Sequence, residues 1–169
     1  IARSQGKYKN WNEVIFHECY KPLAQYGVFE HISFDMYRSL AQWMVEYDKA
    51  TYTEILEQSK KAKQRFGASN AVAGPWVHSI LPLLSHDDLQ VNIAWGIAEF
   101  QKRYGYKPDG FWLPETAVNH TVLEILVRHG ITFIMLAPWQ AKGAIDTNQV
   151  YQVTTAAGSI RCVFFNDPF

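Results

Sequence analysis

Between Gly130 and Pro138 the chain reads Ile131-Thr132-Phe133-Ile134-Met135-Leu136, an apolar run rich in β-branched residues. That composition suits a parallel strand buried on both faces; a strand with one wet face alternates instead. The run constrains its surroundings, because parallel strands need a crossover and the crossover is usually a helix. Helices are legible on its N-terminal side. Ser85-His86-Asp87-Asp88 offers a hydroxyl cap and an acidic first turn. Leu89, Ile93, Ile97, Phe100 and Tyr104 then recur on one face, and Gly105 ends the helix. Pro108-Asp109-Gly110 reads as a turn and Phe111-Trp112-Leu113 as a short strand. Thr121 to Glu124 has the form of a capping box, with Val122, Ile125, Leu126 and His129 as the inner face of a helix that Gly130 stops. Strand, helix and strand with short links predict an α/β fold with a parallel sheet.

The rest of the chain fits around that unit. In residues 1–30, Pro22 and Gly27 predict breaks in any long helix. From Ser33 the spacing of Met36, Leu40, Trp43, Met44 and Tyr47 is helical, and a second helix is predicted from Tyr52 to Arg65 with Gly67 as its cap. Ala68 to Val77 reads as a buried strand leading into the loop His78-Ser79-Ile80-Leu81-Pro82. The tail reads as a β-hairpin, Val150 to Thr154 and Ile160 to Phe165 about a turn at Ala157-Gly158. A complete (β/α)₈ barrel needs about 250 residues, so the 169 present make either a small open sheet or a piece of a larger barrel.

Composition excludes several functions. The 16 Lys and Arg balance the 16 Asp and Glu, so no overall field draws the chain to nucleic acid or an anionic membrane. Lys60, Lys61, Lys63 and Arg65 alternate with Ala62 and Gln64 and read as a solvated helix face. No run of about 18 apolar residues is present to span a bilayer. Cys19 and Cys162 match no metal spacing and read as free, buried or half-buried thiols, which fits a reducing, cytoplasmic setting. The chain opens at Ile1 without a Met, so a preceding segment, signal included, is compatible with the sequence. No phosphate-cradling glycine loop, Gly-x-Ser-x-Gly elbow or His-Glu-x-x-His helix occurs.

Glu115 is the sharpest chemical feature. It follows a short apolar strand and Pro114 and precedes a helix, and in parallel α/β folds the C-terminal strand ends carry the active site. A carboxylate there can act as nucleophile, acid or base; the plain alternative is a surface carboxylate favoured by a helix dipole. His78, where a strand meets a loop, can bond a substrate hydroxyl or a catalytic carboxylate, or can be a satisfied structural histidine. Trp112 can floor a sugar site or simply pack the core. Trp139, just past the Ile131–Leu136 run, is less needed by the core and is a candidate for stacking on a sugar ring.

The segment Gly110-Phe111-Trp112-Leu113-Pro114-Glu115-Thr116-Ala117-Val118-Asn119 resembles the nucleophile region of glycoside hydrolase family 57, in its α-amylase-like, α-glucan hydrolase branch. The resemblance extends from about residue 10 to 142. It takes in Trp11-Asn12-Glu13, Glu18-Cys19-Tyr20 and Pro22, then His31-Ile32-Ser33-Phe34 through Trp43. It continues with His78-Ser79-Ile80-Leu81-Pro82-Leu83, Trp95-Gly96-Ile97 and Arg103-Tyr104-Gly105, and ends on Gly130 to Pro138 with Gln140-Ala141.

The resemblance implies part of a (β/α)₇ TIM-like barrel, with residues 1–169 a single partial catalytic domain. It implies a retaining glycoside hydrolase or 4-α-glucanotransferase acting on an α-glucan, with no metal or organic cofactor. Glu115 would be the catalytic nucleophile, and His78, Trp112 and Trp139 would serve the substrate. The family's first, His-containing region has no counterpart here, and neither does its acid/base aspartate. Asp167 resembles a different stretch and is not assigned that role. Trp139 stands where relatives often carry His. The expectation is therefore a domain middle that, alone, is inactive or nearly so. Two rival readings remain at this point. One is a metal-dependent polysaccharide deacetylase on a related barrel, to which His78 and His86 lend some support. The other is a non-catalytic carbohydrate-binding module, suggested by the aromatic content. The oligomeric state is not legible.

Overall fold

A computed structural model describes residues 7–166. The chain divides into two compact units, the first ending at Ala71 and the second beginning at Val72.

The first unit is largely helical. Its opening stretch departs from the sequence expectation: α1 (Trp11–Ile15), a π-helical turn (Phe16–Tyr20) and α2 (Lys21–Gln25) follow one another through Pro22. A proline lacks an N–H and crowds the carbonyl four residues back. The wider π turn absorbs this, with the Lys21 N–H bonded to the Phe16 carbonyl five residues earlier. Strand β1 (Phe34–Asp35) is extended, and its Phe34 N–H donates to the Asn70 carbonyl at 3.1 Å. That pairing delays α3 to Arg38–Tyr47. Helix α4 (Lys49–Phe66) starts on Asp48, whose carboxylate accepts the Thr51 N–H, and stops at Gly67 with φ 74, a left-handed turn that glycine adopts with least strain. Along α4 Ala62 is buried while Lys60, Lys61 and Arg65 are exposed, a solvated basic face.

Phe16, Phe29, Met44 and Ile55 form the core of this unit. Gln58 lies buried within it with its amide satisfied. Its Nε2 donates to the Ala24 carbonyl at 2.7 Å and to Glu54 Oε1 at 2.8 Å, and its Oε1 accepts the Phe29 N–H at 3.1 Å. Asn70 Nδ2 donates to the carbonyls of Phe29 and Ile32.

Strand β2 (Ala71–Val72) carries the chain into the second unit. The predicted strand over Ala68–Val77 contracts to this and to Ala73, which bridges Phe111 in parallel. Helix α5 (His86–Tyr104) begins as expected, Ser85 Oγ accepting the Asp88 N–H. Strand β3 (Gly110–Phe111) follows, then α6 (His120–Arg128). The cap of α6 is Asn119, whose side chain accepts the Val122 N–H; the capping box from Thr121 to Glu124 does not form. Asn is as strong a cap and starts the helix earlier, which frees Glu124 to pair with Arg128 one turn on. Leu123 joins the buried face of α6, and His129 is exposed.

Strands β4 (Phe133–Leu136), β5 (Val150–Thr155) and β6 (Gly158–Phe164) complete a sheet of order β3-β4-β6-β5. β3, β4 and β6 run parallel, and β5 is antiparallel to β6. On β4, Ile134 and Leu136 are buried while Phe133 and Met135 are half-buried. Successive strand side chains point to opposite faces, so one face of β4 is closed and the other partly open, where the sequence predicted burial on both. The result is a mixed α/β fold with a parallel sheet. No described helix is long and apolar enough to cross a membrane. Both cysteines are free; Cys19 is exposed, and burial pushes the Cys162 thiol up.

Candidate active site

The sheet brings the C-terminal ends of parallel segments to one edge. Past Ala73 the chain reaches His78, past β3 it reaches Glu115, past β4 Trp139 and past β6 Phe165. Helix α5 holds the first of these segments. Asn92 accepts the Val77 N–H at 2.7 Å through Oδ1 and donates to the Val77 carbonyl at 3.1 Å, and its own carbonyl accepts the Trp76 N–H at 3.0 Å. Gly96, one turn on, lets α5 approach closely: a Cβ there would run into the Gly74 carbonyl oxygen and lie 2.9 Å from Pro75 Cα.

Glu115 sits on a strained turn. Pro114 to Ala117 closes through the Ala117 N–H and the Pro114 carbonyl at 3.0 Å. Its central residues both have positive φ, 54 at Glu115 and 53 at Thr116. Turns of this hand favour Gly, Asn or Asp, and positive φ at a β-branched residue such as threonine is a genuine outlier. Each such residue costs on the order of 1–3 kcal/mol and persists only where its surroundings enforce it. The turn lifts the Glu115 side chain into solvent, 73% exposed, with Oε1 3.4 Å from Nε2 of His78, itself 48% exposed. At that distance and exposure the pair adds little to stability.

The next loop braces this turn. Gln140 accepts the Ala137 N–H at 2.7 Å and donates through Nε2 to the Thr116 carbonyl at 2.7 Å. Beside it Trp139 is 72% exposed and meets Phe165 edge to face, ring centroids 5.6 Å apart. Trp112 is half-buried, its N–H bonded to the Ala73 carbonyl at 2.7 Å. Glu115 and His78 are thus brought together. Trp112 and Trp139 share their edge of the sheet. Asp167 lies outside the described residues.

Asn92, Gly96, Gln140 and Phe165 escaped the sequence reading as site-building residues. Asn92 carried a legible signal, a polar residue beside Ile93 on the inward face of α5. Gln140 carried none, because its partners lie on two different loops. No group of three or more His, Cys, Asp or Glu among the described residues is arranged to hold a metal ion.

Comparison with known proteins accords with this architecture. A 73-residue stretch is 34% identical to the 1,4-alpha-glucan branching enzyme TK1436 of Thermococcus kodakarensis, covering 43% of this chain and 11% of that protein. The fold matches the 4-alpha-glucanotransferase of Thermococcus litoralis with a TM-score of 0.75 at 17% identity, over 94% of this chain and 26% of that one. It matches the exo-type maltose-forming amylase of Pyrococcus sp. ST04 with a TM-score of 0.73 at 16% identity, over 92% and 26% respectively. At such identities the structural likeness is one of fold, and the chain spans about a quarter of the length of these structures. The profile of Glycosyl hydrolase family 57 matches residues 3–168. With nearly every residue of the chain inside that match, the chain belongs to glycosyl hydrolase family 57.

Proposed function

We propose that this chain is part of the catalytic (β/α)₇ barrel of a retaining enzyme acting on α-glucans, with Glu115 as its nucleophile. One observation carries the assignment of Glu115. It is a carboxylate at the C-terminal end of a parallel strand, held exposed on a left-handed turn with His78 Nε2 at 3.4 Å. Strain of this kind clusters at functional sites, and the inference runs from the outlier to the function.

In this reading the Glu115 carboxylate attacks the anomeric carbon of a bound glucosyl unit. A glycosyl–enzyme ester forms as the glycosidic bond breaks. A second carboxylic acid, expected from outside this chain, protonates the leaving oxygen and then deprotonates the acceptor. In retaining enzymes it lies about 5–5.5 Å from the nucleophile. A water acceptor gives hydrolysis and a sugar hydroxyl gives transfer, both from the same intermediate. His78 bonds the nucleophile or a sugar hydroxyl, and Trp112 and Trp139 offer apolar faces to sugar rings. The chemistry asks for no metal or organic cofactor. A deacetylase would need an Asp and two His around one metal, and among the described residues no such cluster exists. Free Cys19 and Cys162 fit cytoplasmic residence.

The test is Glu115→Gln in the protein as its native source makes it, assayed on soluble α-1,4-glucan. The turnover number should fall by about a thousandfold or more, with the melting temperature unchanged. A variant that keeps its turnover would end the nucleophile assignment.

A further inference from the structure

We infer that Gln140 is a positioning residue for Glu115, acting through the backbone of the turn that carries it. The inference rests on the reading of Glu115 as nucleophile and adds a residue to it. The Pro114–Ala117 turn has left-handed backbone at both Glu115 and Thr116. Its own Ala117 to Pro114 hydrogen bond is compatible with commoner turns in which neither residue is left-handed. An overlapping bond from the Thr116 N–H to the Leu113 carbonyl at 2.9 Å constrains Glu115; the Thr116 carbonyl needs a further hold, since a change of form would swing it and reorient Glu115.

Gln140 is placed to supply that hold. Its Nε2 donates to the Thr116 carbonyl at 2.7 Å, and its Oε1 accepts the Ala137 N–H at 2.7 Å. Ala137 directly follows β4, which pairs in parallel with both β3 and β6. One amide side chain thus ties the nucleophile's turn at the end of β3 to the rigid end of β4. The task needs a donor and an acceptor at once, separated by one carbon. Glutamine supplies both; glutamate supplies only the acceptor at neutral pH, and leucine supplies neither. The bond to Ala137 alone would merely close the local turn Pro138–Gln140. The bond to Thr116 is the one that reaches the site. A nucleophile displaced by about an ångström loses rate by orders of magnitude without losing its substrate.

Gln140→Glu and Gln140→Leu, made in the protein as its source produces it and assayed on soluble α-1,4-glucan beside Glu115→Gln, test this. Gln140→Glu keeps the acceptor for Ala137 and loses the donor to Thr116. It should lower kcat at least tenfold with KM within twofold and the melting temperature near the parent's. Gln140→Leu should lower kcat at least as far. A merely structural role would instead lower the melting temperature or raise KM and leave the kcat of the folded protein intact. Should Gln140→Leu not fold, Gln140→Glu still decides. If Glu115→Gln is inactive and Gln140→Glu keeps kcat within twofold of the parent, the positioning role is overturned alone. If Glu115→Gln stays active, the nucleophile reading falls and takes this inference with it.

Discussion

The two units of this chain treat backbone strain in opposite ways. In the first, each abrupt change of direction falls on a residue suited to it: Asp48 caps α4, Gly67 ends it with φ 74, and a π turn relieves Pro22. Its buried Gln58 is paired as well, bonded to Ala24, Phe29 and Glu54. The second unit follows the same rules along α5 and α6, then breaks them at Glu115 and Thr116, where residues with side chains take a conformation suited to glycine. Local sequence and local structure agree where only folding is at stake. They disagree at the exposed carboxylate proposed as the nucleophile. The disagreement is local and is braced from the next strand end by Gln140.

Substitutions in each unit can break this contrast. The largest stability effect is expected from Gln58→Leu, which leaves the Phe29 N–H buried without its partner and the Ala24 carbonyl with the Gly27 N–H alone. A buried group left unpaired costs about 1–3 kcal/mol, so the first unit should lose stability on that order. Hydrogen exchange read by mass spectrometry should rise across α2 and α4 and change little along β4 and β6. Equal exchange in both units would mean that they do not differ in this way. Thr116→Gly should act in the opposite direction. Relief of the left-handed strain outweighs the added freedom of glycine in the unfolded chain, for a net gain of about 1 kcal/mol in urea unfolding. Loss of stability instead would show that Thr116 is not strained.

The smallest effect concerns Asp48. The Lys21 ammonium bonded at 2.9 Å, and then the Thr51 N–H, hold its carboxyl below the ordinary aspartate range. A depressed native pKa adds stability above the unfolded value of about 3.9. That contribution is lost as pH falls from there through the native pKa. Asp48→Asn keeps a capping side chain and removes this titration, so the gap between parent and variant should be about 0.5 kcal/mol at pH 7 and close below about pH 4. A gap that persisted in acid would assign the effect to the cap.

Most of the α/β framework was legible because it follows short-range rules. The apolar run at Ile131–Leu136, the Ser85 cap of α5 and the glycines after α4 and α5 each announce an element within a few residues. Expectations failed where a neighbour in sequence offered an equally good local solution or where a distant segment intervened. Asn119 displaced the Thr121–Glu124 box, and β1 postponed α3. Glu115 and His78 were legible as separate candidates, each by its place after a strand; their meeting at 3.4 Å was not.

The sequence by itself determined most of which segments become helix and strand, because periodicity, caps and turn residues act over a few positions. It also determined the family, because an ordered series of motifs runs along nearly the whole chain. Only the tertiary structure decided what surrounds Glu115. The clamp of Asn92 on Val77, the reach of Gln140 to Thr116 and the His78–Glu115 pair join residues 15 to 37 positions apart. No local preference encodes such contacts; the pairing of parallel strands does, by bringing their C-terminal ends to one edge.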